Sequence, residues 1–474
     1  MLKLIHYKKF NKEISMGNII LQLIKKYINF EKNMNFVNMI SMIQNNSHLF
    51  FGELMTAVLE HIDVEIMLSL ERKRSWRVIK ITKRTIRTIV GTVTFKRRYY
   101  QNKHTGQYAY LLDQAIGILP YQRLGVLLES KLLDFTNTLS YEKAGEMVID
   151  FDTICKQTVK NIVSKFAAKE NEFFKDKDDK KIVKSLYIEA DEDHVSLQKS
   201  LKNNVINKLI YVHEGKSTES KGRKFLLNKK IFASNLKSPE DMWIEVYDYI
   251  YSTYDTTKIE NIFILGDGAS WIKTGLEWIE NSEYVLDSFH LNKAILQISG
   301  GQKKEGTKVT YEKLKGLIYS KNKKSFKTLA KEIVDKETGF TAKTRKENHM
   351  KYILNQWSGI ESNLDNKAKH QLGCSAEGHV SHILSARMSS RPLSWSREGL
   401  EAITKLRISI LNGITRTGIE KTLLKVNKKI SQEKYKPVKH LKRIKRHAME
   451  TLGNVPVLSI GKVNGLQTMM NGLK

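Results

Sequence analysis

The spacing of apolar and polar residues changes several times along this chain, and each spacing predicts a different element. Apolar residues recur every three or four positions in MGNIILQLIKKYINF and FFGELMTAVLEHIDVEIMLSLE, which predicts helices within residues 1–70. In TVTFKRRYY the residue types alternate, which predicts a strand. Its two faces are predicted to carry Val93, Phe95, Arg97 and Tyr99 on one side and Thr94, Lys96, Arg98 and Tyr100 on the other.

Residues 139–166 predict a short helix, a tight turn and a second helix, an order that resembles a helix-turn-helix. In that motif the second helix enters the major groove of DNA. A helical hairpin without any DNA contact has the same pattern, so both interpretations stay open. The second helix is predicted to turn Ile154, Val159, Ile162 and Val163 inward and Gln157, Lys160, Asn161 and Lys165 outward.

Beyond residue 181 the pattern predicts strands mixed with helices. Strands are predicted in SLYIEADEDHVSLQ, NKLIYVHEG, NKKIFAS, ENIFILGDG and SEYVLDSFH. The ENIFILGDG segment is apolar on both faces, as expected of a central parallel strand. Helices are predicted in SPEDMWIEVYDYIYSTY, with Ser238 as N-cap and Pro239 in the first turn, and in SWIKTGLEWIE. Residues from 291 to about 370 are predicted to be helical.

Charge narrows the possible functions. The 474 residues are 41% hydrophobic, and 80 Lys and Arg against 50 Asp and Glu give a formal charge of +30 at pH 7. A globular protein this basic is expected to bind a polyanion, and DNA is the first candidate. No run approaches the ~18 apolar residues of a membrane span, and IILQLI is too short for a secretory signal. Two cysteines make no disulfide framework, so we expect a cytoplasmic, nucleoid-associated protein.

Much of the positive charge lies in residues 72–103, which hold twelve Lys or Arg and no acidic residue. A basic, aromatic β-ribbon suits the phosphate backbone of DNA, and Arg97 and Arg98 are the candidate contacts. A solvated edge strand that its charges protect from aggregation has the same composition. In the predicted second helix, Gln157, Lys160 and Asn161 are the candidate DNA contacts.

Acidic residues concentrate in the first predicted strand of the second half and after a later one. Glu189, Asp191, Glu192 and Asp193 repel one another unless a cation or solvent intervenes. A bound metal and a frayed strand end in water both account for this run. Asp267 follows an apolar run at the carboxyl end of a strand, where open α/β sheets form their sites. A βα turn that uses Gly and Asp is the alternative.

A third carboxylate lies in CSAEGHVSHILSARM, which predicts a helix that begins after Ser375. Glu377 falls in its first turn, where a favourable interaction with the helix dipole is the simple explanation. However, Glu377 also continues an apolar stripe, so we predict that it lies on the buried face and needs a partner such as a metal ion. The stripe consists of Val380, Leu384 and Met388.

Asp191, Asp267 and Glu377 together suit a two-metal site for phosphoryl transfer. Two cations ~3.5–4 Å apart activate the attacking oxygen and stabilise the leaving one. Oxygen ligands select Mg²⁺ or Mn²⁺. Asp193 is an alternative ligand, because it belongs to the same crowded run as Asp191.

Four blocks of the chain together resemble DDE transposases of bacterial insertion sequences, most closely the ISLre type and more distantly Mutator-like enzymes. These blocks are YIEADEDHVSLQ, FILGDGASWIK, VLDSFHLNKAI and CSAEGHVSHILSARMSSRPLSWS. The likeness extends from about residue 85 to about residue 410. It departs from related families at the first aspartate, where Asp191 is followed by Glu192 rather than by glycine.

The resemblance implies a mixed α+β chain with a ribonuclease-H-like catalytic domain that a helical insertion interrupts. It implies Asp191, Asp267 and Glu377 as catalytic, metal-binding residues with two Mg²⁺ or Mn²⁺ ions. It also implies that Asp287 and His290 form an Asp-x-x-His motif in which His290 contacts DNA near the cleaved phosphate; a structural histidine is the alternative.

The predicted organisation follows from these elements and from the resemblance. It comprises an N-terminal helical region (1–70), a basic β-ribbon (71–120), a helix-turn-helix-like DNA-binding region (121–173), the first part of the catalytic domain (182–290), a helical insertion (291–370), the last catalytic helix (371–410) and a basic C-terminal tail (411–474).

The expected activity is metal-dependent cleavage and strand transfer of double-stranded DNA, at the ends of an element and at its target. We expect a homodimer or a larger assembly on DNA and no membrane partner. A non-catalytic DNA-binding protein, such as a regulator or an inactive transposase, is the first alternative. A metal-dependent nuclease of the same fold is the second, and an RNA-binding protein is the third.

Overall fold

A computed structural model of the chain describes residues 16–28, 35–168, 179–198, 204–218, 224–301, 305–367, 370, 373–390 and 393–435. Residues 1–15 of the predicted N-terminal region and 436–474 of the basic tail lie outside these ranges. The chain divides into two compact units. The first takes in the chain up to Leu132, Gly145–Ile154 and the chain from Arg416 onward, and the second takes in Leu133–Ala144 and Cys155–Thr415.

The elements before residue 169 are mostly helical, with one group of strands. In chain order they are α1 (Met16–Tyr27), α2 (Phe36–Leu68), α3 (Leu70–Ser75), β1 (Trp76–Thr88), β2 (Gly91–Asn102), β3 (Tyr108–Ala109), α4 (Leu111–Ile116), α5 (Val126–Thr136), α6 (Tyr141–Met147) and α7 (Lys156–Ala167). The helices predicted in the first 70 residues and the strand in TVTFKRRYY are therefore confirmed.

The later elements alternate strands and helices and then become helical. They are β4 (Ser185–Ser196), β5 (Asn204–His213), β6 (Lys216–Thr218), β7 (Lys224–Leu226), β8 (Lys230–Ser234), α8 (Pro239–Thr253), β9 (Asn261–Gly266), α9 (Ser270–Lys273), α10 (Gly275–Trp278), β10 (Ser282–Leu286), α11 (Ser288–Ser299), α12 (Glu305–Tyr319), α13 (Lys323–Asp335), α14 (Phe340–Asn355), α15 (Trp357–Asn366), α16 (Ala376–Val380), α17 (Ala386–Met388), α18 (Arg397–Leu411) and α19 (Arg416–Tyr435). A 3-10 turn covers Thr256–Lys258 and a π-helical turn covers Ser381–Ser385.

A long antiparallel ribbon dominates the first unit. β1 and β2 pair along their whole length, and β3 adds to β2 beside Tyr100. The alternation predicted for β2 holds up to Arg97, but Tyr100 is fully buried instead of lying on the exposed face with Lys96. Tyr100 is covered because β3 pairs beside it and the Arg72 guanidinium lies 6.0 Å from its ring centroid.

Helix α2 lies along the free edge of β2 and satisfies its backbone groups with side chains. One helical turn advances ~5.4 Å along the helix axis, and two strand residues advance ~6.7 Å along the strand. Side chains on successive turns of α2 therefore reach every second residue of β2. The contacts are Thr56 Oγ1 donating to Thr94 O (3.3 Å), Lys96 N donating to Glu60 (2.8 Å) and Arg98 N donating to Asp63 (3.2 Å). Gly52 permits this approach, because a Cβ there would lie 2.8 Å from the carbonyl oxygen of Thr92.

Two arginines of the ribbon share one buried carboxylate. Asp113 forms ion pairs with Arg84 (3.2 Å) and Arg97, and all three side chains are less than a tenth exposed. Burial, together with the charge of Arg84, lowers the pKa of Arg97 to about 10, so the Arg97 guanidinium stays charged at neutral pH. The Arg97 guanidinium also lies 3.5 Å from the ring centroid of Tyr110.

We expect Asp113→Ala to be strongly destabilising. Removing one partner leaves two buried guanidiniums without a counter-charge, and breaking a buried pair costs about 3–5 kcal/mol. Urea unfolding followed by circular dichroism measures this loss. Asp152→Ala is the matched control, because Asp152 pairs with Arg87 at 3.2 Å where the side chains are 31% and 43% exposed, and such pairs contribute about 0–1 kcal/mol. Equal midpoints for the two variants would contradict the prediction.

The second unit is built on an open, mixed five-stranded sheet in the order β10-β9-β4-β5-β8. Adjacent strands of the β4, β5 and β8 meander are antiparallel, and β9 and β10 run parallel to β4. The five predicted strands and α8, capped by Ser238 as predicted, are confirmed. The chain is therefore a mixed α+β protein, as expected. The short hairpin of β6 and β7 was not predicted from the sequence.

The two faces of β4 have different environments. Leu186, Ile188 and Ala190 belong to the large core formed with α8 and the later helices. Tyr187 belongs to a smaller cluster with Phe263, Leu265 and Val285, on the other face. Because side chains alternate along a strand, Glu189 and Asp191 lie on this second face.

The SWIKTGLEWIE segment differs from its prediction as a single helix. It forms two short helices, α9 and α10, that meet at Thr274. Gly275 lies against the indole of Trp243, where a Cβ would approach the ring to 2.7 Å. The contact with Trp243 in α8 explains why a glycine stands at this break.

Candidate functional site

The three predicted carboxylates come from neighbouring parts of the second unit. Asp191 lies in β4, Asp267 directly follows β9, and Glu377 lies in α16. β9 pairs in parallel with β4, with Leu265 opposite Glu189, so Asp267 leaves the sheet beside Asp191. Helix α16 packs against β4. The fold thus brings these three residues to the same end of the sheet, where β9 ends beside β4.

The pKa of Asp191 reveals how these groups interact. Burial, the largest cause, and the negative charges of Asp267, Glu377 and Glu192 together raise the pKa of its carboxyl to about 7, against one hydrogen bond from the backbone N–H of Glu192. Three like charges that act on one half-buried carboxyl form a site that disfavours its own ionised state.

Asp267 occupies a turn that is held from two sides. Its Oδ1 accepts a hydrogen bond from the backbone N–H of Ala269 (2.9 Å), so the turn that was the alternative to a metal site is present, and the metal-binding role stays a prediction. The Tyr352 hydroxyl donates to the carbonyl oxygen of Asp267, and the Gln356 amide donates to that of Gly268 (3.1 Å). Gly268 has φ of +95°, a conformation that favours glycine. The turn therefore fixes the carboxylate of Asp267 in place.

Glu377 does not lie on the buried face, which corrects the sequence prediction. Its side chain is 66% exposed, whereas Val380, Leu384 and Met388 are buried. Glu377 and Val380 both lie in α16, and three residues of a regular helix leave their side chains about 60° apart around its axis. Glu377 therefore lies at the margin of the stripe, in the first turn of the helix, rather than on the buried face.

Asp287 and His290 extend the acidic cluster. Asp287 caps α11 by accepting from Phe289 N (3.1 Å), and its own N–H donates to Gly266 O (2.9 Å). Burial raises its pKa. His290 Nε2 lies 3.9 Å from Asp287 Oδ2 and 3.8 Å from Glu377 Oε2. The histidine of the predicted motif thus stands between these two carboxylates; its predicted DNA contact stays a prediction.

The other carboxylates of the β4 run have protein partners. The Ser389 hydroxyl donates to the carboxylate of Asp193, with its oxygen 2.9 and 3.1 Å from the two carboxylate oxygens, and Glu192 accepts from the Trp271 indole (2.7 Å). Sequence reasoning had left Asp193 as an alternative metal ligand. Its bond to Ser389 gives it a different partner in this structure, while Asp191 faces other carboxylates.

Glu189 is a residue that the sequence did not single out as functional. It is 1% exposed, and its hydrogen-bond partners are Tyr211, His213 and Ser375. Burial raises its pKa, but the hydrogen bond from His213 and the charge of Lys216 outweigh that effect and hold the pKa at about 2. The dense acidic run was the only available signal, because its partners lie up to 186 residues away.

The donor set at the site fits hard divalent cations. Asp191, Asp267 and Glu377 offer only carboxylate oxygens, the ligands that Mg²⁺ and Mn²⁺ prefer. Within the described ranges, no group of three His, Cys, Asp or Glu side chains is already arranged to hold a metal ion. The exposed side chain of Glu377 is the member with room to rotate toward the other two.

The predicted DNA contacts of the ribbon are engaged inside the first unit. Arg97 is paired with Asp113, and Arg98 is paired with Asp63. A phosphate contact by either residue would require its ion pair to open. Lys80 and Lys83 of β1 are exposed and offer positive charge without that rearrangement.

The predicted recognition helix is α7, in the second unit. Val159, Ile162 and Val163 are buried, and Gln157 and Asn161 are exposed, as predicted. The Gln157 amide donates to Asn161 Oδ1 (2.8 Å). The connection from α6 covers residues 148–155, so it is longer than the tight turn that was predicted.

If α7 reads bases, Gln157→Ala or Asn161→Ala will reduce the preference for the ends of the element by about 1–3 kcal/mol, the typical contribution of one bidentate base contact. Half-dissociation concentrations on element-end and scrambled duplexes measure that preference, with Lys160→Ala as a comparison for a charge-only contact. Equal loss on both duplexes would assign the residues to phosphate contacts. Unchanged binding would make α7 part of a structural hairpin.

No helix in the described ranges is long and apolar enough to cross a membrane. The fold and the site together define a mixed α+β protein that gathers carboxylates from a strand, the loop after its neighbour and a helix. The sequence profile of UPF0236, described as an uncharacterised protein family, matches residues 29–423. The chain therefore belongs to the UPF0236 family.

Related UPF0236 proteins occur in Caldanaerobacter subterraneus subsp. tengcongensis. One is 35% identical over 447 residues, covering 94% of this chain and 94% of its own length. A second is 36% identical over 455 residues, covering 93% and 92%. A third is 35% identical over 447 residues, covering 94% and 92%. The names of the second and third carry eleven and four locus designations.

Proposed function

We propose that this protein is a DDE transposase that cuts DNA at the ends of an insertion sequence and joins those ends to target DNA. The observation that carries the proposal is the electrostatic coupling of Asp191 to Asp267 and Glu377. The three lie 76 residues (191 to 267) and 110 residues (267 to 377) apart in the sequence. A fold that assembles like charges from such distances does so at a cost, and a cation-dependent site accounts for that cost.

The order of the strands supports a ribonuclease-H-like catalytic domain. An antiparallel meander (β4, β5, β8) is followed by α8 and by two strands that extend the sheet in parallel on the other side of β4. Helices α11 to α15 then separate β10 from α16. This agrees with the helical insertion that the resemblance places before the last carboxylate.

The names of the relatives give independent support. A protein that carries eleven locus designations in one organism has the distribution expected of a DNA element that copies itself. A regulator or a repair nuclease of the host serves its cell from one or a few loci. For this chain, the comparison favours a mobile element over a host enzyme.

Asp191, Asp267 and Glu377 are the residues that would hold Mg²⁺ or Mn²⁺. When bound, two such ions activate a water or a 3′-OH and stabilise the leaving oxygen. The chain itself keeps Asp267 in position through Tyr352 and Gln356, so the insertion helps to build the site. His290 Nε2 lies within 3.9 Å of both Asp287 and Glu377, and its proposed roles are to orient the exposed glutamate and to contact the DNA phosphate.

The net charge of +30 provides the attraction for DNA that this reaction needs. The chain supplies exposed lysines on β1 and, among the outward residues of α7, the polar side chains Gln157 and Asn161. Double-stranded DNA is thus the proposed partner, at both the element ends and the target.

A plasmid assay tests the proposal against its alternatives. The protein is incubated with Mg²⁺ or Mn²⁺, a labelled duplex taken from the DNA on either side of its gene, where a transposase predicts inverted repeats, and a supercoiled target plasmid. A transposase yields cut ends and ends joined to the plasmid. A nuclease yields only hydrolysed ends, and a non-catalytic DNA-binding protein yields shifted but intact duplexes.

A further inference from the structure

A buried carboxylate that takes no part in the proposed chemistry lies next to the site. Glu189 precedes Asp191 by two residues on β4, on the same face of the sheet, and it is 1% exposed. Buried carboxylates are rare unless they are paired and hydrogen-bonded. The partners of Glu189 therefore indicate what it holds together.

One group of partners comes from the neighbouring strand and hairpin. The Tyr211 hydroxyl donates to Glu189 Oε2, and His213 Nε2 lies 3.1 Å from Oε1. Because an ionised carboxylate can only accept, Nε2 carries the proton in this contact, while Nδ1 lies 3.1 Å from both the N–H and the carbonyl oxygen of Gly215. The ammonium group of Lys216 lies 3.6 Å from Oε1. These contacts fix the orientation of the carboxylate relative to β5.

The remaining partner is the residue that begins helix α16. Ser375 donates both its backbone N–H and its hydroxyl (3.0 Å) to Glu189 Oε2. Ser375 is the N-cap of α16, and its side chain makes no capping bond within its own helix. Glu189 thus satisfies the first N–H of a helix on which Glu377 is two residues further along.

We propose that Glu189 is a positioning residue that sets Glu377 relative to Asp191, and thereby determines the affinity of the site for divalent cations. The inference rests on the proposed function, because it assigns a task to the same site. One residue of strand, Ala190, separates Glu189 from Asp191, and one residue, Ala376, separates Ser375 from Glu377. The hydrogen bonds between Ser375 and Glu189 therefore connect the two carboxylates.

The substitution that tests this role is Glu189→Gln, which preserves the shape of the side chain and removes its charge. A neutral amide oxygen accepts more weakly from Ser375, and the amide N–H₂ opposes the donors around it. Residues that orient metal ligands typically change metal affinity about 10–100-fold when they are replaced. We expect Mn²⁺ affinity to fall by that amount, with kcat reduced and KM for DNA unchanged.

A matched control comes from the other side of the same sheet. Glu401 is 6% exposed and accepts from the Ser234 hydroxyl (2.9 and 3.0 Å) and from Asn235 N (2.9 Å), so it repeats the pattern of hydroxyl and backbone donors. Its partners belong to β8 and the residue after it, at the edge of the sheet opposite β10. Glu401→Gln should reduce thermal stability to a similar degree and leave Mn²⁺ affinity and kcat as in the wild type.

The experiment is a calorimetric Mn²⁺ titration of the full-length wild type, Glu189→Gln, Glu401→Gln and Asp191→Asn, followed by cleavage kinetics. The inference is supported if Asp191→Asn abolishes binding and Glu189→Gln alone of the two glutamine variants weakens it. Wild-type Mn²⁺ affinity in Glu189→Gln overturns the inference and leaves the proposed function intact. Wild-type affinity and cleavage in Asp191→Asn overturn the proposed function itself.

A second variant covers the case in which Glu189→Gln does not fold. Ser375→Ala removes only the hydroxyl donor and keeps both the charge of Glu189 and the backbone N–H contact. We expect a smaller loss of Mn²⁺ affinity in the same direction, with folding preserved. If Glu189→Gln is unfolded, unchanged Mn²⁺ affinity in Ser375→Ala counts against the positioning role.

Discussion

Asp267→Asn is expected to abolish DNA cleavage and strand transfer while DNA binding persists. Asparagine keeps the acceptor oxygen for the Ala269 N–H, so the turn should survive. It loses the charge that holds a hard cation. A catalytic metal is worth several kcal/mol at the transition state, and about 4 kcal/mol corresponds to roughly a thousandfold in rate. Stability should stay the same or rise slightly, because one of several mutually repelling carboxylates becomes neutral.

Asp255→Asn is a matched control for this variant. Asp255 makes the same local turn, with its Oδ1 accepting from Thr257 N (3.1 Å), and its electrostatic partners do not include Asp191. Single-turnover cleavage and joining with Mg²⁺ and with Mn²⁺ provide the measurement. Cutting and joining by Asp267→Asn at the wild-type rate would reduce this segment to a structural turn and remove the basis of the mechanism.

DNA affinity is expected to fall steeply as salt rises. A protein that makes 6–10 phosphate contacts loses about 10³–10⁵ in affinity between about 50 and 200 mM salt, because each contact releases counterions. Lys80 and Lys83 are exposed on β1, which makes them the better test of the ribbon than the buried Arg97. Replacing both with alanine should reduce the slope of log affinity against log salt by roughly two.

Fluorescence anisotropy on a labelled duplex over a range of salt concentrations gives that slope. The double variant Lys327→Ala, Lys331→Ala is the control. Both lysines are exposed on α13, and their replacement removes the same formal charge. A reduction in both double variants alike would indicate a general effect of net charge. A wild-type slope in the β1 variant would assign the ribbon to the edge-strand alternative.

Local patterns were sufficient for much of the fold. β9 lies between β10 and β4 and is buried along most of its length. Its continuous run of apolar residues predicts such an interior strand. Ser238 and Pro239 begin α8 as their chemistry suggests. In each case neighbouring residues determine the outcome, so a short window of sequence contains the necessary information.

The site was less predictable because its contacts are distant in sequence. Glu377 was assigned to the wrong face, because its spacing from Val380 does not show which neighbours cover the first turn of α16. Arg97 was assigned to DNA, although Asp113 and Tyr110 bury it in the fold. In the sequence, Glu189 is one of four acidic residues in a run. Only the positions of β5 and α16 show which groups surround it. Tertiary partners, rather than local propensity, decided all three.

The bond between Glu189 and Ser375 also determines when the site can form during synthesis of the polypeptide. The two residues are 186 positions apart, so at ~5–20 residues per second roughly 10–40 s of synthesis separate them. Within that interval Asp191 and then Asp267 are synthesised, before the helix that carries Glu377 exists. A chain that stops before residue 377 therefore lacks the third carboxylate, and the cleavage activity proposed for this site would arise only after α16 has been synthesised.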